Sequence, residues 1–111
     1  MIIYLASPYT DSSAITMQMR YSDALYATAK FLAQGHRIYS PIVHFHAIAC
    51  LHNLPRDADF WWDINSAMIR KADALWVLKL TGWQNSIGVM REIVLATDLG
   101  LPIRYVELPG A

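Results

Sequence analysis

Apolar positions along the chain alternate between short unbroken runs and a spacing of three and four. Residues 2–6, IIYLA, form a continuous run rich in β-branched and aromatic side chains, which predicts a buried strand. The turn formers of SPYTDSS follow. From about Ser13 the spacing becomes helical, with Met17, Tyr21, Ala24, Leu25, Thr28, Phe31 and Leu32 on one face and Gly35 as the stop. RIYS (37–40) predicts a second strand ended by Pro41. The stretch 41–56 holds two prolines and three of the four histidines, and predicts a loop with one or two helical turns. Helical spacing returns over 57–72, with Trp61, Ile64, Asn65, Met68 and Ala72 on or beside one face. ALWVLKL (74–80) predicts a buried strand. Gly82 to Asn85 form a loop, and 86–99 a helix with Ile87, Met90, Ile93, Val94 and Thr97 inward. Gly100 and Pro102 end it, and PIRYVEL (102–108) is the last strand.

Strands alternating with helices imply parallel pairing and right-handed crossovers. The expected fold is therefore α/β: a three-layer sandwich around a parallel sheet of about four strands, Rossmann-like or flavodoxin-like. With 111 residues and no linker or repeat, 1–111 is expected to form a single domain.

Composition narrows the functional classes. The chain is 55% hydrophobic, with four tryptophans and six tyrosines, more apolar area than so small a subunit readily buries. A homo-oligomer is expected. The segment DADFWW (57–62) sharpens this, because Phe60, Trp61 and Trp62 lie about 100° apart on a helix and cannot share one stripe. Trp61 and Trp62 read as core plus subunit interface, with base stacking as the alternative. Formal net charge is zero and no basic run occurs, which argues against a nucleic-acid polymer as partner. No basic n-region opens the chain and no apolar stretch reaches membrane-spanning length, so a cytoplasmic protein without a membrane partner is expected. The single cysteine, Cys50, is expected as a small buried residue.

Ligands of an open parallel sheet bind beyond the carboxyl ends of its strands. Three segments lie there: Ser7-Pro8-Tyr9, Ser40-Pro41 and the loop 81–88. Gly88 and Glu92 stand four residues apart on one helix face. A bare Cα at Gly88 would admit a ligand to a helix N-terminus, where free N–H groups favour an anion or hydroxyls. Ser86 or Asn85 would cap the helix. The competing reading is structural: a cap, a glycine for close helix–sheet packing, and a surface glutamate paired with an arginine. His44 and His46 would share a face on a strand and could then hold a metal. No carboxylate or cysteine pattern completes that ligand set, so metal is not expected, and His44 reads as a residue lining a pocket.

IIYLASPYT, ADALWVLKLTGW and the pattern Ser86, Gly88, Glu92 together resemble the nucleoside 2-deoxyribosyltransferase-like superfamily. Within it the chain looks like a small family of unknown function, DUF1937. The resemblance implies that Glu92 is the nucleophile, that Ser7, Pro8 and Tyr9 line the sugar or phosphate pocket, and that Ser86 and Gly88 contact sugar or phosphate. It also implies that neighbouring subunits help complete the pocket. The superfamily's usual aspartate falls on Asn65 here, eight residues before Asp73, with Asp63 two positions earlier. Two residues on a helix point 200° apart, so only one can face the site, and Asn65 is preferred over Asp63. An asparagine can hold a hydroxyl or base edge but cannot carry a proton.

The expected activity is cleavage or transfer of an N-glycosidic bond on a (deoxy)nucleoside or nucleotide, with no cofactor. Ionised Glu92 would be steadied by Ser86, Tyr9 or backbone donors. The alternatives are a non-catalytic nucleotide-binding module on the same fold and a purely structural oligomer.

Overall fold

The computed structural model describes residues 1–110. The strands are β1 (Ile2–Ala6), β2 (Arg37–Tyr39), β3 (Ala74–Leu78) and β4 (Ile103–Val106). The helices are α1 (Ala14–Ala33), α2 (Pro41–Leu51), α3 (Ala58–Lys71) and α4 (Ile87–Asp98), with a 3-10 turn at Trp83–Asn85. All strand pairs are parallel, in the order β2-β1-β3-β4. The register is Ile3 opposite Ile38, Leu5 opposite Trp76, and Val77 opposite Tyr105. The chain steps from β1 outward to β2 and then returns to the other side of β1 for β3. The point of reversal between β1 and β3 is where a doubly wound sheet opens a crevice.

The unbroken apolar runs of β1 and β3 follow from burial on both faces. Ile3 and Leu5 of β1 and Trp76 and Leu78 of β3 pack with Ala27 and Phe31 of α1. Tyr4 and Ala6 of β1 and Leu75 and Val77 of β3 point the other way, toward Ile69 of α3 and Val89 and Ala96 of α4. Helices thus cover both faces, completing the three-layer α/β sandwich that the alternation of elements predicts. A third cluster joins Tyr9, Ala24 of α1, Ile42, Phe45 and Ala49 of α2, and Trp61 of α3. Among the described residues, no helix is long and apolar enough to cross a membrane.

Several expectations need correcting. Residues 41–51 form a full helix rather than a loop with one or two turns. Ser40 caps it, its side chain accepting from Val43 N at 3.2 Å, and Pro41 occupies the first turn, where its missing N–H costs nothing. Ile42, Phe45, His46 and Ala49 make its inner face. On a helix His44 and His46 diverge, so the shared face that a strand would give them does not exist: His46 is buried and His44 exposed. Cys50, one turn after His46 and 3.7 Å from its Nε2, is exposed rather than buried.

The inward stripes also shift. On α4 the buried residues are Val89, Glu92 and Ala96, whereas Ile87 and Val94 are 69% and 60% exposed and Thr97 is exposed too. Small side chains let this helix lie close to the sheet, so it turns Ala96 inward and leaves longer aliphatic residues outside. Leu25 and Leu32 on α1 are exposed for the same reason, beside buried Ala24, Ala27 and Thr28. On α3 Ile69 is fully buried and Ile64 is exposed.

Candidate functional site

Beyond the carboxyl ends of the strands lies a cavity of about 310 Å³. Ser7 and Tyr9 enter it from the loop after β1, Asn65 from α3, and Ser86, Gly88 and Glu92 from the start of α4. Phe45, Trp61 and Trp62 add aromatic surface. Phe45 and Trp61 stack at 4.4 Å and 11°, and Tyr9 meets Phe45 edge-on at 5.4 Å. The charged lining is Arg56, Asp57, Asp59 and Arg91. Arg91 pairs with Asp59 at 2.5 Å and lies over the Trp62 ring at 5.8 Å.

Glu92 is 5% exposed and makes no ion pair among the described residues. Its carboxyl accepts a hydrogen bond from the Tyr4 hydroxyl. Burial pushes its pKa up from the ordinary carboxylate range to about 8, and the Tyr4 hydrogen bond opposes that rise. Burial first, then the neighbouring carboxylate, raise the Tyr4 phenol well above its ordinary value. Tyr39 stands behind, its ring 5.7 Å from that of Tyr4, and its pKa is raised by burial and then by Glu92.

The expected partners of Glu92 are engaged elsewhere. The Ser86 hydroxyl caps α4, accepting from Val89 N at 3.2 Å. Tyr9 turns its hydroxyl to His46 Nδ1 at 2.6 Å. The other ring nitrogen of His46 lies 3.1 Å from Gln18 Oε1, an acceptor, so Nε2 carries the proton and Nδ1 accepts from Tyr9. Burial and then Arg56 lower the His46 pKa, keeping the ring neutral. Burial first, with a contribution from Cys50, pushes Tyr9 up to about 12. Sequence reasoning missed Tyr4 because it lies inside an apolar strand run. The one available signal was chemical: a tyrosine on a strand buried on both faces needs a partner for its hydroxyl.

Gly88 does not adopt a positive φ. A Cβ there would lie 3.7 Å from Ala58 Cβ and 3.9 Å from Ser86 Oγ, which is ordinary contact. Ile87 and Gly88 open the first turn of α4, where their N–H groups have no partner within the helix, whereas those of Val89 and Met90 are taken by Ser86. Ser7 is 7% exposed, lines the same cavity, and its hydroxyl has no hydrogen-bond partner among the described residues. Such a group represents desolvation left uncompensated by the protein alone. Pro8 is fully buried behind this wall and does not line the cavity. Asn65 lines it and is half-buried, whereas Asp63 is exposed and outside it. His44 also lies outside, its ring 6.0 Å from Tyr39.

Fold and cavity together define a small doubly wound α/β protein with a cleft at the reversal point of its sheet. Residues 1–107 match the family described as a domain of unknown function, DUF1937, and the chain belongs to that family. Comparison with the curated proteins gives no match.

Proposed function

We propose that this is a cytoplasmic protein that cleaves or transfers the N-glycosidic bond of a nucleoside or nucleotide with a 2′-deoxy sugar, using Glu92 as nucleophile. One observation carries the reading: a buried carboxyl group, unpaired with any cation among the described residues and hydrogen-bonded by a phenol, in the wall of a cavity at the sheet's reversal point. The pattern Ser86, Gly88, Glu92, which resembles the nucleoside 2-deoxyribosyltransferase-like superfamily, supports the same assignment.

A Glu92 oxygen attacks C1′, and the C1′–N bond breaks with its electron pair leaving on the base, which takes a proton from solvent. Water or a second base then attacks C1′ and frees the carboxylate. Two inversions give net retention, as in retaining glycosidases. Ser7 Oγ and the N–H groups of Ile87 and Gly88 at the start of α4 offer donors to sugar hydroxyls or a phosphate. The reaction needs neither metal nor organic cofactor. The working form is a homo-oligomer: Phe60, Ile64, Ile87 and Val94 leave apolar surface on α3 and α4. A groove of about 620 Å³ on that face shares Trp62, Ile87 and Arg91 with the cavity.

Incubation with a panel of deoxynucleosides and their monophosphates, followed by chromatography for free base, tests the reaction. Intact-mass measurement should reveal a sugar adduct that disappears in Glu92→Gln. No base released from any compound would overturn it. A second reading, a non-catalytic nucleotide-binding module, is favoured by one residue: Asn65 in the cavity, where the resembled superfamily carries an aspartate. Ligand-induced thermal shifts without turnover would select that reading.

A further inference from the structure

Asp57 occupies the N-cap position of α3 with the extended backbone of a cap, φ −88 and ψ 156, yet its side chain caps nothing. Its carboxylate makes no hydrogen bond or ion pair among the described residues, and it lines the cavity. The obvious cation is committed elsewhere: Arg56 donates Nη1 to Cys50 Sγ at 3.2 Å. Two hydrogen bonds pin the chain just before it. Trp61 Nε1 donates to the Pro55 carbonyl at 2.7 Å, and Thr10 Oγ1 to the Arg56 carbonyl at 2.7 Å. Asp57 is exposed and lines a cavity that also holds the buried Ser7 hydroxyl, without a partner among the described residues, so its carboxylate is an acceptor that a donor entering the cavity can reach.

The donor's shape follows from what surrounds it. Trp61 is one helical turn after Asp57, so the two lie on the same face of α3, and both line the cavity. Trp61, Phe45 and Tyr9 are more than nine-tenths buried, with Trp61 and Phe45 stacked on each other, so they form an apolar wall, and a planar ring seated against that wall would turn its edge toward the carboxylate. A carboxylate only accepts, and its two oxygens match two parallel N–H groups. The N1–H and exocyclic N2–H of a guanine ring provide that pair. Adenine sets an acceptor nitrogen beside its amino group, hypoxanthine has N1–H alone, and a pyrimidine imide flanks its single N–H with two carbonyls.

We propose that Asp57 is a specificity-determining residue that selects a guanine base through its N1–H and N2–H edge. This rests on the reading that the cavity takes a nucleoside or nucleotide, and the test separates the two. Binding is measured calorimetrically on Glu92→Gln, which does not turn over, with deoxyguanosine, deoxyinosine, deoxyadenosine and thymidine. Deoxyguanosine should bind at least about tenfold more tightly than the other three, the scale of one lost charge-assisted hydrogen bond. Asp57→Asn in the same background keeps a good cap residue and should erase the preference. Equal affinities, a preference that survives Asp57→Asn and Asp57→Ala, or no binding of any nucleoside would overturn the assignment. If the wild-type protein releases no base while deoxyguanosine binding still depends on Asp57, the glycosidic reaction fails and the specificity stands.

Discussion

The Tyr4 hydroxyl donates to the Glu92 carboxyl across 88 positions of sequence, joining the middle of β1 to the second turn of α4. Both groups are buried, so each is the other's main substitute for water. The hydrogen bond stabilises the ionised carboxylate, the form a nucleophile needs, against a burial that favours the neutral acid.

Tyr4→Phe therefore tests the electrostatics of the site. Loss of the donor should raise the Glu92 pKa further. Turnover at pH 7 should fall by about tenfold or more, in line with roughly 1.5–3 kcal/mol for a hydrogen bond to a charged group. In the wild-type protein the rate should climb with pH and level off above about 8. In Tyr4→Phe the same rise should lie at higher pH. A pH–rate profile of both proteins is the check, and coincident profiles would refute the role of Tyr4.

Glu92 also sets a pH dependence of stability. Its folded pKa, about 8, lies above its unfolded value, so between those values the folded chain holds a proton that the unfolded chain has released. The stabilisation is complete below the unfolded pKa and is lost as pH rises through about 8. Wild-type stability should fall over that window, by an amount on the order of a few kcal/mol. Glu92→Gln should flatten the fall and abolish turnover, while its side-chain oxygen still accepts from Tyr4. Urea midpoints measured from pH 5 to pH 9 would show it.

Gly88→Ala should hold or raise stability by roughly 1 kcal/mol, since alanine is the better helix former and the added methyl makes only ordinary contacts. Ligand affinity should drop, because that methyl stands at the cavity wall. Thermal melts with and without nucleoside separate the two effects. A sharp loss of stability would mean that α3 and α4 need the glycine to pack.

Assembly is testable on the outer face of α4. Val94→Asp places a charge where Val94 is 60% exposed, so the fold should survive with a stability change within about 0.5 kcal/mol. If copies associate through this face, sedimentation should show the wild type above 12.6 kDa and the variant near it. A wild-type protein that sediments as a monomer at micromolar concentration would refute the assembly.

Much of the fold was legible in local pattern. Unbroken apolar runs marked β1 and β3, and periodicity marked α1, α3 and α4 within a residue or two, because these signals depend on which faces a segment must bury. The strand ends and helix starts that carry Ser7, Tyr9, Ser86, Gly88 and Glu92 followed from the same reading. Helix α2 is hidden in local pattern because its proline and histidines mimic loop composition, although Ser40-Pro41 is also a sound helix start.

Local pattern could not say which stripe of α4 turns inward, since that depends on how closely the helix approaches a sheet built from distant strands. Nor could it pair Tyr4 with Glu92, turn the Tyr9 hydroxyl to His46, or leave Asp57 and Ser7 Oγ unpartnered in one cavity. Sequence alone determined the α/β alternation and which segments end at the sheet's carboxyl edge, because backbone preference and burial period are local. Which polar groups lose water and which find one another is set by the folded chain, because desolvation and hydrogen bonding depend on neighbours tens of residues away in sequence.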